Sequence, residues 1–359
     1  MSSGISVHEI ELPTYNNEQA WFGRDMANSS EWIYELTSDD VRELDDAVAN
    51  VRRNAIGLTD LKREDFPLPA LGAKLAEIRR DVLSGRGFAL VRGWPSQQRT
   101  IEQSATAFLG VGTHLGEDLL SQNGRGHVLG HVANLGEDYT DPSTRGHRTS
   151  AELKFHADGG DIVGLLCIQR SRTGGLSRLS SSTTIWNELV RRRPDCARLL
   201  MEPYTWTRWG EIGKGQGPHF SIPVFQHVDG HVICIFSASA IEKGHSFEDV
   251  KPLSAEEKDA LAMVNEVASD PAVCLDMDFQ PGDMQFLCNF FILHSRSSYE
   301  DWPERERRRH LLRAWVSSSE GPTLPDNVTR IMQGSTPYGR PNGTAVPGVP
   351  RTAPMDPAG

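Results

Sequence analysis

Basic side chains are in deficit in this 359-residue chain: 37 Lys and Arg stand against 48 Asp and Glu, a net charge of −11. A nucleic-acid binder usually carries a basic footprint, so no nucleic-acid partner is expected. Cysteine is scarce too. Cys167, Cys196, Cys234, Cys274 and Cys288 are scattered, odd in number and form no CxxC pair. That excludes a disulfide frame or a zinc ribbon and points to free thiols in a reducing compartment. No apolar run reaches the ~18 residues of a membrane helix. The opening MSSGISVHEIELPTYN has no basic stretch followed by an apolar one, unlike a secretory signal. The expectation is a cytoplasmic protein with no membrane partner. Hydrophobic residues, at 38%, still suffice for a buried core.

What is present falls into two textures. Residues 1–84 are helical in pattern after a polar arm over 1–30, which is expected to be irregular or an edge strand. In 38–53, Val41, Leu44, Val48 and Val51 recur at helical spacing behind Ser38, a candidate N-cap. A second amphipathic helix is predicted over 70–84, a buried strand at FALV (88–91), and a third helix over 99–110. From Gly126 onward short strands alternate with Gly and Pro turns, interrupted by helices at 183–193, 195–201 and 254–268. This pattern predicts a mainly β fold with flanking helices, a sandwich or barrel of the jelly-roll kind. We expect one domain over 1–332, with a core at 85–332, and a loosely ordered Pro/Gly-rich tail over 333–359.

The chemistry is concentrated in His156-Ala157-Asp158 and, 136 residues later than Asp158, His294. Residues i and i+2 of a strand share a face, so His156 and Asp158 can grip one metal, and a distant strand can bring His294. Two histidines and one carboxylate are the ligand set of a non-haem Fe(II) oxygenase, with three positions open for a bidentate cosubstrate and dioxygen. An HxD triplet alone says little, and the chain has a second, His227-Val228-Asp229. There Asp229-Gly230 between apolar strands reads as a hairpin turn. His294 taken alone reads more readily as a hydrogen-bonded core histidine; the continuation to Arg309 and Arg313 favours a ligand. The stretch RRRHLLRAWV reads as a strand with Arg309, Leu311, Arg313 and Trp315 on one face and His310 on the other. Arg309 and Arg313 are then roughly 13 Å apart at Cα. One can clamp a carboxylate bidentately while the other approaches the metal or a substrate. Arg305, Arg307 and Arg308 read as a solvated turn.

The pieces GRGFALVRGWP, FHAD, GGLSRLSSSTTIWNEL, PGDMQFLCNFFILHSRSSYE and RRRHLLR together resemble the taurine dioxygenase-like family of Fe(II)/2-oxoglutarate oxygenases. The resemblance spans about residues 85–316. It implies a double-stranded β-helix core, with His156, Asp158 and His294 as iron ligands and catalytic residues. It implies that Ser177, behind Gly174-Gly175, helps to bind 2-oxoglutarate where a threonine is commoner. It implies that Arg309 pairs with the C5 carboxylate of 2-oxoglutarate, with Arg313 near the substrate or the C1 end. The 15-residue gap from His294 to Arg309, lengthened by SYEDWPERER, leaves open which arginine makes the clamp.

The implied function is hydroxylation of an unactivated C–H bond in a small anionic or zwitterionic substrate. Fe(II), 2-oxoglutarate and O2 are consumed or held, and succinate and CO2 are released. Gln122, Asn123 and Arg313 are the candidate substrate-binding residues, and Arg208 and Trp209 a candidate lid. Desaturation or ring closure on the same iron centre, and a non-catalytic small-acid binder, remain alternatives. A homo-oligomer is compatible with the sequence.

Overall fold

The computed structural model describes residues 11–136, 149–331 and 336–357. Two sheets form the centre. The larger runs Ile33–Glu35, Phe88–Arg92, Met284–Cys288, Ile162–Gln169, His310–Ser317, Asp118–Leu120, and Gly130–Ala133 also pairs with His310–Ser317. The smaller runs Leu275–Met277, Ser177–Ser181, Ile292–Arg296, Leu153–His156. Within these two sheets Ile33–Glu35 lies parallel to its neighbour, and the other pairings are antiparallel. Gln285, on the larger sheet, reaches Ser177 at 3.3 Å and the Met277 sulfur at 3.0 Å on the smaller one. The inner faces of the two sheets therefore look at each other.

Helices cover the outside. Helix Ser38–Arg53 buries Leu44, Ala47, Val48 and Val51. Its cap is Thr37, one residue before the expected Ser38, because Thr37 and Asp40 close a reciprocal capping box. Helix Ile101–Leu115 runs five residues past the expected end. Glycine normally weakens a helix, but here Gly110 makes room: a Cβ at that position would lie 2.5 Å from the Phe66 ring. Phe108 on the same helix stacks on Phe286 and packs over Gly164 of the larger sheet.

Two further expectations are resolved. Strands Phe225–Val228 and His231–Cys234 form a hairpin, with Asp229 and Gly230 both at positive φ in its turn, so Asp229 is turn chemistry. The Pro/Gly-rich tail is irregular, as its composition requires, but its described part is not loose. Arg340 is buried against Asp161. Thr344 N–H donates to Ser121 O at 2.8 Å, Val128 N–H to Thr352 O at 2.8 Å, and Arg351 to Leu119 O at 2.6 Å. Backbone hydrogen bonds and one buried ion pair fasten it where no helix or strand forms, which composition does not reveal. Among the described residues no helix is long and apolar enough to cross a membrane.

Candidate metal centre

Strand Leu153–His156 ends at His156, and in the antiparallel ladder His156 is the direct partner of His294 on Ile292–Arg296. Directly opposed residues present their side chains on one face, and the two imidazole centroids are 4.3 Å apart. Asp158 lies just beyond the strand end and turns back between them. Its Oδ1 is 3.8 Å from His156 Nε2 and its Oδ2 3.8 Å from His294 Nε2. One donor atom from each of the three lies within 4.8 Å of the others. Among the described residues this is the cluster of His, Cys, Asp and Glu placed to hold a metal ion.

His294 and Asp158 are in ligating form. His156 Nδ1 is 2.9 Å from the Lys154 carbonyl. A carbonyl accepts only from N–H, so Nδ1 carries a hydrogen and Nε2 is the atom that faces Asp158. Burial, then the neighbouring His156, pushes His294 down to about 3, so its ring is neutral at physiological pH. Burial alone would raise the Asp158 carboxyl, but Arg313, His294, His156 and the Trp315 N–H hold it well below the usual carboxylate range. Arg313 Nη1 and Trp315 Nε1 both donate to Asp158 Oδ2, at 2.9 and 3.0 Å.

The turn carrying Asp158 is fixed from below. Asn289 Nδ2 donates to the Asp158 carbonyl at 2.8 Å, and the Asp158 N–H donates to Asn289 Oδ1 at 2.7 Å. Gly159 has no Cβ because one would lie 2.7 Å from the Trp315 ring. Sequence reasoning passed over Asn289. The available signal was a lone amide in the apolar run FLCNFFIL, since a buried amide requires partners.

The other expected residues divide. Arg309 is 4% exposed, and its Nη1 is buried without a hydrogen-bond partner, while Nη2 reaches only Gly175 O at 3.4 Å. Its ring neighbour is Tyr299, 5.2 Å away. A buried cation with an idle donor can take an anion as partner. Gly174 and Gly175 both sit at positive φ, and a Cβ on Gly175 would stand 2.9 Å from Arg309 Nε. Ser177 is buried and faces Gln285. Gln122 is buried and hydrogen-bonded within the protein. Its Nε2 donates to Val128 O and Arg313 O, and its Oε1 accepts from Arg313 Nε at 2.7 Å. Asn123 Oδ1 accepts from Arg125 N–H and His127 N–H within its own loop. Arg208 is buried over Phe220 and Trp209 is exposed. His310 points away from the triad and contacts His131 at 2.8 Å. Arg305, Arg307 and Arg308 are exposed.

The family model for taurine catabolism dioxygenase TauD, TfdA family matches residues 53–315. The chain belongs to this family. This TauD/TfdA member is accordingly a non-haem iron, 2-oxoglutarate-dependent dioxygenase, with Fe(II), 2-oxoglutarate and O2 as cofactor and cosubstrates. It is 27% identical over 328 residues to the FR-33289 synthase of Streptomyces rubellomurinus, covering 89% of this chain and 95% of that protein. It is 30% identical over 309 residues to the taurine hydroxylase-like protein SAT17 of Stachybotrys chartarum, covering 83% of this chain and 78% of that protein. In fold it is similar to asparagine oxygenase solved with Fe(II), 2S,3S-3-hydroxyasparagine and succinate. The TM-score is 0.64 at 19% identity, over 88% of this chain and 100% of that one. It is also similar to the non-haem iron oxygenase OrfP solved with Fe and α-ketoglutaric acid. That TM-score is 0.60 at 15% identity, over 87% of this chain and 100% of that one.

Proposed function

We propose that this dioxygenase hydroxylates a C–H bond of a small anionic or zwitterionic molecule on a jelly-roll core. His156, Asp158 and His294 are its iron ligands. The observation that carries this reading is His294 standing opposite His156 with the ionised Asp158 between them. The donor set suits iron: two imidazoles and one carboxylate would hold the ion and would leave room for a cosubstrate and dioxygen. Arg309 fits the distal carboxylate of 2-oxoglutarate, since its buried Nη1 has no protein partner, and the buried Ser177 hydroxyl offers a further donor. When bound, iron and 2-oxoglutarate supply the oxidant, with succinate and CO2 released and one oxygen atom delivered to the substrate.

The chain's own residues then do three things. Arg313 and Trp315 keep Asp158 ionised and aimed at the ion. Gln122 steadies Arg313 from behind, which makes it a support for the substrate side. Arg313 in turn offers a cation to an acidic substrate group. Supporting the substrate class, the names of two of the similar proteins include taurine and asparagine, each with an acidic group.

The test is succinate release from 2-oxoglutarate with Fe(II) and O2, across a panel of amino acids, aminosulfonates and phosphate or phosphonate esters. A hit raises succinate output, and its product gains one oxygen atom by mass. His156→Ala should release none while keeping its fold. Undiminished succinate release in that variant, or no response to any anionic compound, would sink the reading. A product lighter by two hydrogens would instead mark desaturation.

A further inference from the structure

We propose that Asp161 and Arg340 are positioning residues for the metal carboxylate, through which the C-terminal segment 336–357 completes the metal site. The inference rests on the reading of Asp158 as an iron ligand. The segment lies beyond the family match, which ends at residue 315.

Asp161 follows Asp158 by three residues in the same turn and is fully buried. Its carboxylate accepts from Arg340 Nε at 3.0 Å and from Arg340 Nη2, from Ser318 N–H at 2.9 Å and from Ser317 Oγ at 3.2 Å. Arg340 is itself 7% exposed, and its Nη1 donates to Pro322 O at 2.7 Å. Its backbone is tied to Thr336 by the Arg340 N–H to Thr336 Oγ1 bond and the Thr336 N–H to Arg340 O bond. Gly321 leaves the guanidinium its space, since a Cβ there would lie 2.4 Å from Nη2.

The turn transmits this grip. The Asp161 carbonyl accepts from the Asn289 N–H at 2.9 Å, and the Asp161 N–H donates to Val316 O at 3.1 Å. Asn289 holds Asp158 with its side chain. Both ends of the Asp158–Asp161 turn thus bear on one asparagine, and the forked guanidinium fixes the far end in direction as well as distance. The same segment then crosses to the other side of the site, where Thr344 N–H donates to Ser121 O beside Gln122.

The test is anaerobic Fe(II) titration of the full-length protein, with thermal unfolding of the metal-free form in parallel. In D161N/R340M the charges are replaced by neutral side chains of similar size. Groups that orient metal ligands typically change affinity by about 10–100-fold when removed, and a Kd rise of about tenfold or more is expected here. R340K keeps the charge but loses the fork and should fall between wild type and the double variant; it also serves if the double variant does not fold. Fe(II) affinity equal to wild type in the variants, with only the unfolding temperature lowered, would show a purely structural pair and overturn the proposal. A wild-type chain that binds no Fe(II) would overturn the iron-site reading, and this inference with it.

Discussion

Asn289 and Asp158 are bonded to each other twice, side chain to backbone, as donor and as acceptor. The asparagine imitates a neighbouring strand just where the ligand strand has ended. Asn289→Ala leaves a buried N–H and C=O without partners, at about 1–3 kcal/mol each. It also frees the carboxylate to swing. Fe(II) affinity should fall about 10–100-fold, measured by anaerobic titration well below the unfolding temperature. Affinity within twofold of wild type would remove Asn289 from the site.

Arg309→Met should separate affinity from stability. The guanidinium is buried with an idle donor, and burial lowers its pKa. Without 2-oxoglutarate the variant should unfold at the same temperature or higher, because an uncompensated charge has left the interior. Its affinity for 2-oxoglutarate should drop by at least tenfold, the loss of a charged hydrogen bond at about 1.5–3 kcal/mol. Fe(II) binding should persist. A tightly bound 2-oxoglutarate in Arg309→Met would move the clamp elsewhere, to Arg313 first.

Gly175→Ala tests the turn beside that arginine. The residue sits at φ +72°, and a methyl there meets Arg309 Nε at 2.9 Å. Left-handed strain costs about 1–3 kcal/mol, and the guanidinium must shift. Reduced stability together with weakened 2-oxoglutarate binding is expected from melting curves and cosubstrate titration. Loss of stability with normal cosubstrate affinity would confine the effect to the turn.

The acid limb of the stability profile should be set in part by a histidine pair outside the His156, Asp158 and His294 triad. His131 Nδ1 is 2.8 Å from His310 Nε2, and His131 Nε2 is 2.8 Å from Pro354 O. Burial lowers both, His310 to about 4. Unfolded histidines titrate near ~6.5. Between these values the unfolded chain binds protons that the folded one refuses, so stability falls as pH drops below about 6.5 and is unaffected above it. Unfolding temperatures of metal-free protein between pH 7.5 and 5 would show this. His310→Gln should flatten the slope, and an equally steep slope in that variant would contradict the assignment.

Removing the metal should be reversible and visible without substrate. A chelator abolishes succinate release, and Fe(II) restores it. Because only the folded state gathers the three ligands, Fe(II) at 100 times its Kd should stabilise the protein by about 2.7 kcal/mol. In His294→Ala the added metal should leave the unfolding temperature almost unmoved.

The pairing of His156 with Asp158 was legible from their spacing, but not through strand parity: the strand ends at His156, and Asp158 returns to it through the turn that Asn289 holds. Alternation does put Arg313 and Trp315 on one side, where both reach Asp158, whereas Arg309 precedes the strand and a register shift falls between His310 and Leu311. The same rule correctly set Asp229 aside, since Asp-Gly between strands is a turn signal with a mechanism. What alternation cannot supply is the partner of a side chain. The partners of the Gln122 amide, Arg313 Nε and the Val128 and Arg313 carbonyls, are not legible from its position. Asn289 and Arg340 act across 131 and 179 residues of chain, on Asp158 and Asp161 respectively. Such pairings depend on three-dimensional closure, which composition and periodicity do not encode. The C-terminal segment was misjudged for that reason: Pro and Gly forbid regular structure without forbidding attachment.

That attachment bears on any attempt to graft this catalytic body onto a relative's terminus. Residue 161 would be a carboxyl in a dry interior with no guanidinium arriving to meet it, and would have to take up a proton to stay there. A hybrid of this kind would therefore need a compensating neutral residue at 161, or would have to carry the original ending with it.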